Sequence, residues 1–404
     1  MLLSVQLVLQ APTSLRAAAE ALMLLLGFER HWSTIRMWIL RVGLASLTRP
    51  LTVSKDWVWF IDHSVQIGRC KCLVILGIRL SDYPWGRPLV YADMELIAVV
   101  PMESAAKESV NKCLEAAVSR TGVPRAIVDD HGADLHGGVK LFQKSHPETA
   151  EVYDVKHKAA CLLRARLERD QTWQSFCTLV GTSKFALQQT ELAPLTPPSQ
   201  RSKARFMNLD ILVQWGVKTL ALLDKPDGLP AKLKISASRL EDKLGWLRDY
   251  REALVDWSAD LAVIDQTLKF TRTDGVFAGA AEILVHQLPV PDAPGGAMAA
   301  KLLEFVKDQS SVAAPNEQLP ASTEVLESCF GKLKYLEHEQ SKSGFTGLVL
   351  SLGAIVGPLT VERVKDALER CGVNDVLDWC QKKLGSSIQS QRQAAYATCG
   401  AQQK

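Results

Sequence analysis

In the N-terminal part of the chain, short apolar runs are followed by segments in which apolar residues recur with helical periodicity. Three apolar runs, at residues 56–66, 70–80 and 94–101, are rich in β-branched and aromatic residues and have short connections. They predict an antiparallel meander of three strands. Helix-like segments and further strand-like runs then alternate, with helices at 104–121 and 134–145 and strands at 124–130 and 149–155. Because a helical crossover joins parallel strands, the order βββαβαβ predicts a mixed five-stranded sheet with helices.

The apolar pattern after this sheet region has helical spacing, broken by prolines such as Pro194 and Pro291. The predicted sheet needs none of these residues, so we interpret them as an all-helical insertion. A helix-like segment at residues 322–334 would then return the chain to the sheet. The predicted organisation is a helix-turn-helix-like region at 1–50, the first part of the α/β core at 54–160, the insertion at 161–318, the last part of the core at 319–385 and a flexible tail at 386–404.

Three acidic residues occupy positions that suit metal-dependent phosphodiester chemistry. Asp62 follows the apolar run that begins at Trp57, and Asp130 follows the run that begins at Ala126. Glu327 lies in the late helix-like segment, and Lys334 is seven residues further on, about two turns away on the same face. Carboxylates are the ligands that Mg²⁺ prefers, and paired ions can hold both oxygens of an in-line displacement.

Neighbouring acids are alternatives to two of these three positions. Asp129 and Asp134 compete with Asp130, and Asp134 is also placed to cap the following helix. Glu324 competes with Glu327, because an early glutamate would favour the dipole of a helix capped by Ser322 or Thr323. The sequence leaves both choices open.

Four short segments together resemble the DDE-type transposases of bacterial insertion sequences, in the ribonuclease H-like superfamily. They are Asp62-His63-Ser64-Val65-Gln66-Ile67-Gly68, Asp130-His131-Gly132-Ala133-Asp134-Leu135, Asp154-Val155-Lys156-His157 and Glu327 with Lys334. The element from Asp154 to His157 is similar to one in transposases whose core carries a helical insertion, such as the hAT group. The resemblance covers roughly residues 50–160 and 318–360.

The resemblance implies a DNA transposase that cleaves transposon ends and joins their 3′-OH to target DNA. It implies that Asp62, Asp130 and Glu327 are catalytic and hold two Mg²⁺ or Mn²⁺ ions, with Asp154, His157 and Lys334 in supporting roles. The expected partners are transposon ends and target DNA, and the expected assembly is a homo-oligomer on DNA. The alternatives are a ribonuclease H-like nuclease without strand transfer and a catalytically inactive, DNA-binding transposase relic.

Positive charge is local rather than global, since the 404 residues carry a net charge of only +3. The strongest basic cluster comprises Arg201, Lys203 and Arg205, which we interpret as a phosphate-binding surface. Arg36 and Arg41 would lie on the second helix of the N-terminal helix-turn-helix-like region and contact DNA there. This region is shorter than a transposase's recognition region is expected to be, which favours an incomplete start.

Histidines and cysteines are candidate zinc ligands, and the number and spacing of the cysteines also indicate the cellular compartment. His131, His136, His146 and His157 fall within a short window, but there is no Cys-x-x-Cys pair and no recognised zinc spacing, so the sequence argues against zinc. Nine scattered cysteines are typical of reduced thiols in a cytoplasmic protein, and the resemblance implies a bacterial protein associated with the nucleoid. The uncharged residues 345–361 contain glycines and predict a buried helix rather than a membrane span.

Overall fold

The computed structural model describes residues 1–11, 13–67, 70–199, 209–225, 235–338 and 346–384, together with residues 393 and 396. The basic cluster Arg201, Lys203 and Arg205 and nearly all of the predicted tail at 386–404 lie outside these residues. The chain divides into two compact units. The sheet unit comprises Met1–Asp154, Arg272–Asp274 and Leu319–Lys404, and the helical unit comprises Val155–Thr271 and Gly275–Gln318.

The sheet unit contains a mixed sheet of five strands in the described part of the chain. The strands are β1 Trp57–Ile67, β2 Cys70–Arg79, β3 Glu95–Met102, β4 Ala126–Asp129 and β5 Ala150–Tyr153. Their order is β3-β2-β1-β4-β5, with antiparallel pairing of β1 with β2 and of β2 with β3, and parallel pairing of β1 with β4 and of β4 with β5. The prediction of a ribonuclease H-like mixed sheet is confirmed.

Helices make up most of the remaining described structure. They are α1 Leu2–Leu9, α2 Leu15–Leu26, α3 Trp32–Thr48, α4 Lys107–Thr121, α5 Ala133–Ser145, α6 Val155–Leu167, α7 Gln171–Leu187, α8 Leu209–Asp224, α9 Ala237–Leu244, α10 Arg251–Asp274, α11 Ala280–Leu284, α12 Gly296–Ser310, α13 Glu324–His338, α14 Ser351–Ile355, α15 Val361–Arg370 and α16 Val373–Leu384. Helices α6 to α12 lie in the helical unit, except that the last three residues of α10 belong to the sheet unit.

One face of the sheet is covered by α4 and α5. Alternate residues of β1, including Trp59 and Ile61, form a buried cluster with Leu114 of α4 and with Val139 and Phe142 of α5. Trp59 and Phe142 have ring centroids 5.9 Å apart. Alternation along a strand sends every second side chain to the same face, so this packing determines which residues of β1 and β4 face the other way.

The helical unit has its own aromatic core. Trp173 and Phe176 of α7 are buried with Trp257 of α10, and the rings of Trp173 and Trp257 meet edge to face at 4.8 Å. Trp246, on the turn before α10, packs against Phe176 at 5.9 Å. The described residues of this unit form no strand. The helical insertion is therefore observed, and it begins at Val155, six residues earlier than the predicted boundary.

The N-terminal region is part of the sheet unit rather than a separate domain. Helix α2 is capped at both ends, because the Ser14 hydroxyl accepts from the N–H of Ala17 (3.1 Å) and Gly27 follows in the left-handed conformation (φ 66°). Helix α3 is capped by the side chain of His31, which accepts from the N–H of Ser33. Its central residues are buried, and it packs against α14, α15 and α16.

Residues 345–361 were predicted to form a buried helix, and the described part of this segment is a buried 3-10 turn, Gly347–Leu350, followed by α14. Among the described residues, no helix combines the length and the apolar character needed to cross a membrane.

The contact between α3 and α14 depends on two glycines. A β-carbon on Gly43 would overlap the carbonyl oxygen of Leu350, and one on Gly353 would overlap the carbonyl oxygen of Gly43. The two backbones therefore approach more closely than any other residue type would permit. This contact holds α3 against α14 within the sheet unit.

We predict that Gly43→Ala destabilises the protein, because the new methyl group meets rigid backbone that cannot move aside. The expected loss is about 1–3 kcal/mol, measured as a lower midpoint in urea denaturation. Gly331→Ala is the matched control, since Gly331 lies within α13 with open space around its would-be β-carbon. This control should be neutral or stabilising by roughly 0.5–1 kcal/mol. Equal effects of the two substitutions would contradict the steric explanation.

Candidate functional site

Three aspartates occupy equivalent register positions on three adjacent parallel strands, with Asp62 inside β1 and Asp130 and Asp154 directly after β4 and β5. The register pairs Phe60 of β1 with Val128 of β4, and Val128 with Val152 of β5. Two residues further along each strand direction are Asp62, Asp130 and Asp154. Because side chains alternate with a period of two, all three carboxyl groups belong to the sheet face opposite α4 and α5.

Local hydrogen bonds hold the first two carboxylates in place. An Asp130 oxygen, Oδ1, accepts from the backbone N–H of Gly132 (2.8 Å) in the turn after β4. Asp62 Oδ1 accepts from the N–H of His63 (2.6 Å). Both side chains are only partly exposed, so each has a restricted orientation at the edge of the sheet.

The third aspartate binds the start of the helix that carries Glu327. Buried Asp154 accepts at Oδ2 from both the N–H (2.5 Å) and the hydroxyl (2.6 Å) of Thr323. Thr323 precedes α13, and its carbonyl oxygen accepts from the N–H of Leu326 (2.8 Å). A carboxylate at a helix N-terminus satisfies free N–H groups and interacts favourably with the helix dipole. Asp154 thereby positions α13 near β1, against which this helix packs, and Glu327 follows in its first turn.

Three other carboxylates act on the charge of Asp62. Burial raises the pKa of Asp62 to about 7, the negative charges of Asp130, Glu327 and Asp154 raise it as well, and the hydrogen bond from His63 opposes this change. Like charges crowded in a partly buried place disfavour ionisation. A divalent cation bound among them would reverse that effect, so this donor set fits hard oxygen-preferring ions such as Mg²⁺ and Mn²⁺.

The alternative acids are engaged elsewhere in the sheet unit. Asp134, in the first turn of α5, accepts from Lys71 Nζ (2.6 Å) and lies 3.1 Å from His63 Nε2. Glu324 accepts from the guanidinium of Arg272 (2.7 Å). Asp129 is fully buried on the opposite face of the sheet from Asp130. This placement favours Asp130 and Glu327 over their neighbours, whereas their catalytic roles remain predictions.

Two supporting residues lie at positions that leave their predicted roles open. Lys334 is exposed on α13. His157 lies in the first turn of α6, in the helical unit, and is half-buried there.

The structure does not support the predicted DNA-contacting role of Arg36 and Arg41. The Arg41 guanidinium donates to the carbonyl oxygen of Cys371 (2.6 Å) and to that of Leu368, at the end of α15. Arg36 is half-buried, and burial lowers its pKa. Helix α3 is a core helix of the sheet unit, so its arginines face packed protein instead of an open groove. A DNA-contacting helix-turn-helix stays a prediction that this packing does not favour, because capped helices joined by a short turn also occur in packed cores.

Comparison with solved structures found several chains that match this one. A solved structure described as the Drosophila P element transposase strand transfer complex superposes with a TM-score of 0.35 at 12% sequence identity, over 91% of this chain and 89% of that chain. No family model and no curated protein sequence matches the chain.

We predict that Asp62→Asn stabilises the metal-free protein in a pH-dependent way. The folded-state pKa of Asp62 is raised to about 7, above an unfolded value near 4. Between these two pH values the native protein therefore holds a proton that the unfolded chain has already released. Stability is therefore lost as pH rises from about 4 to 7 and stays low above that. The substitution should restore on the order of 2–4 kcal/mol at about pH 8 and less at about pH 5.

Thermal denaturation in EDTA at both pH values measures this effect. Asp378→Asn, at an exposed position of α16 in the same unit, is the control and should change the melting temperature little at either pH. A stabilisation by Asp62→Asn that is equal at both pH values would contradict the crowding of the carboxylates.

Proposed function

We propose that the chain is a DDE-type DNA transposase of the bacterial insertion-sequence kind, with Asp62, Asp130 and Glu327 as its catalytic acids. The observation that carries the proposal is the mutual placement of these carboxylates. They come from a strand, a turn and a helix that are far apart in sequence, yet the charges of Asp130 and Glu327 both raise the pKa of Asp62. A site of this kind on a ribonuclease H-like sheet suits phosphodiester cleavage.

Two Mg²⁺ or Mn²⁺ ions would be held by these three carboxylates and, when bound, would supply activation of the attacking oxygen and stabilisation of the leaving oxygen. Asp130 would offer the carboxylate oxygen that does not accept from Gly132, and Asp62 would serve as a ligand in its ionised form. Asp154 acts as a positioning residue, because its carboxylate is used to hold Thr323 and the start of α13. Glu327 is thereby kept at the strand ends although its side chain is exposed.

The proposed substrates are transposon ends and target DNA, and the proposed assembly is a homo-oligomer on that DNA. Arg36 and Arg41 are left out of this proposal, since their helix is packed inside the sheet unit. Arg201, Lys203 and Arg205 remain the candidates for phosphate contacts, from the sequence alone. Exposed Lys334, two turns beyond Glu327 on α13, is a candidate for holding a DNA phosphate beside the acids.

We predict that Asp62→Asn, Asp130→Asn and Glu327→Gln each abolish cleavage, because each removes one of the charges that would bind the ions. A labelled DNA that spans both flanks of the coding sequence is incubated with the full chain and Mg²⁺ or Mn²⁺, and the cleaved and joined products are separated. DNA binding by these variants should remain within about threefold of the parent, since phosphate contacts dominate affinity.

Glu324→Gln is the matched control. Glu324 lies one turn before Glu327 on the same helix and is paired with Arg272. Cleavage should persist in this variant. Cleavage without joining by the parent would favour a nuclease, and binding without any product would favour an inactive relic. Cleavage that survives in Asp130→Asn would refute the assignment of the acids.

A further inference from the structure

A second cluster of ligand-type side chains lies on the sheet face opposite Asp130. Glu151 of β5 pairs in register with Ile127, and Asp129 pairs with Tyr153, so Glu151 and Asp129 both face the side covered by α5. The turn after β4 and the first turn of α5 add His131 and His136. Strand end, turn and helix thus converge on one small region within the sheet unit.

The distances in this cluster match those between ligands of one ion. The donor atoms of His131, His136 and Glu151 all lie within 4.8 Å of one another. His131 Nε2 is 3.5 Å from Glu151 Oε1 and 3.6 Å from Asp129 Oδ1. Both distances are long for a hydrogen bond, but they are close to the ~3.3 Å that separates neighbouring ligands of tetrahedral zinc. His136 Nδ1 is nearer, 2.8 Å from Glu151 Oε1, and would move by about half an ångström to share an ion.

Asp129 supplies an independent indication that something is bound here. Its side chain is fully buried, and neither carboxylate oxygen has a hydrogen-bond partner among the described residues. A buried polar atom without a partner is costly, and such groups in native proteins usually meet water or an ion. Because Asp129 Oδ1 is directed toward His131 Nε2, a cation within the cluster would satisfy it.

Outer contacts hold two of the proposed ligands in orientation. The ring of His131 stacks on Tyr153, with centroids 4.0 Å apart and planes at 6°. The second oxygen of Glu151 accepts from Lys140 Nζ (2.9 Å), and the Glu151 side chain is itself 4% exposed. Metal ligands are typically supported by such second contacts, which set ring and carboxylate orientation.

We propose that His131, His136, Glu151 and Asp129 form a binding site for one divalent transition-metal ion, of which Zn²⁺ is the best fit. Two imidazoles with carboxylates suit Zn²⁺ and disfavour Mg²⁺, which prefers oxygen ligands and water. The site is separate from the proposed catalytic carboxylates, since its ligands lie on the other face of the sheet. It therefore stands whether or not the chain cleaves DNA.

The test measures zinc in the untagged full chain. Protein is stripped with a chelator, equilibrated with an equimolar amount of Zn²⁺, passed through a desalting column and assayed for metal by mass spectrometry. The parent should retain about one ion per chain, and His131→Ala and His136→Ala should lower the affinity by at least about tenfold. His146→Ala is the matched control, because His146 ends the same helical segment but pairs with Glu115 (3.0 Å) outside the cluster. Asp130→Asn should also retain the ion.

Replacement of Zn²⁺ by Co²⁺ gives a second measurement that needs no variant, because a four-coordinate site produces strong visible absorption in the folded parent. No retained zinc and no such absorption in the parent would overturn the proposal, even if the histidine variants fold poorly. Equal zinc content in the parent, His131→Ala and His136→Ala would overturn it too. Loss of zinc in Asp130→Asn with retention in His131→Ala would assign the ion to the carboxylates on the other face.

Discussion

The parallel pairing of β1, β4 and β5 is the constraint on which the candidate site depends. It aligns Phe60, Val128 and Val152, all fully buried, and so aligns the aspartates two residues beyond them. A shift of one residue would move every side chain of a strand to the opposite face. The hydrophobic core therefore enforces a register that brings these carboxyl groups to one face, where burial and the charges of the other acids raise the pKa of Asp62.

A single buried carboxylate joins segments that the helical insertion separates in sequence. Asp154 is the last residue of the sheet unit before the insertion, and Thr323 follows soon after the chain returns. Their hydrogen bonds place the N-terminus of α13 beside the ends of the parallel strands. The entropic cost of closing a loop grows only slowly with its length, so a long insertion is tolerated. The contact between Asp154 and Thr323 then keeps α13, and with it Glu327, beside the parallel strands.

The local features of the fold were predictable from the sequence, because short-range physics determines them. The apolar run from Trp57 to Ile61 and the run before Asp129 form the buried strands that their composition predicts, and Ser14 and Gly27 cap α2 through local contacts. Long-range partners could not be predicted in this way. Arg41 binds carbonyl groups of residues about 330 positions later, and no periodicity within α3 distinguishes that role from a DNA contact.

The choice between neighbouring acids required the same long-range information. Glu324 and Glu327 are one turn apart on α13, and only the position of Arg272 shows that Glu324 is neutralised by an ion pair. The sequence argued against zinc at the histidines for a related reason. Zinc signatures place ligands at fixed spacings in one segment, whereas here Glu151 is supplied by β5 and the histidines by the turn after β4 and by α5.

The end of β4 carries two adjacent carboxyl groups to opposite faces of the sheet. Asp129 and Asp130 are consecutive, so their side chains leave the strand on opposite faces, one toward the histidines and the other toward Asp62. Burial raises the pKa of Asp129 to about 8, and the charges of Glu151 and Asp130 contribute to this rise. The two clusters are therefore electrostatically linked through the strand end. A cation on either face would weaken the repulsion between these two carboxylates and favour ionisation on the other face.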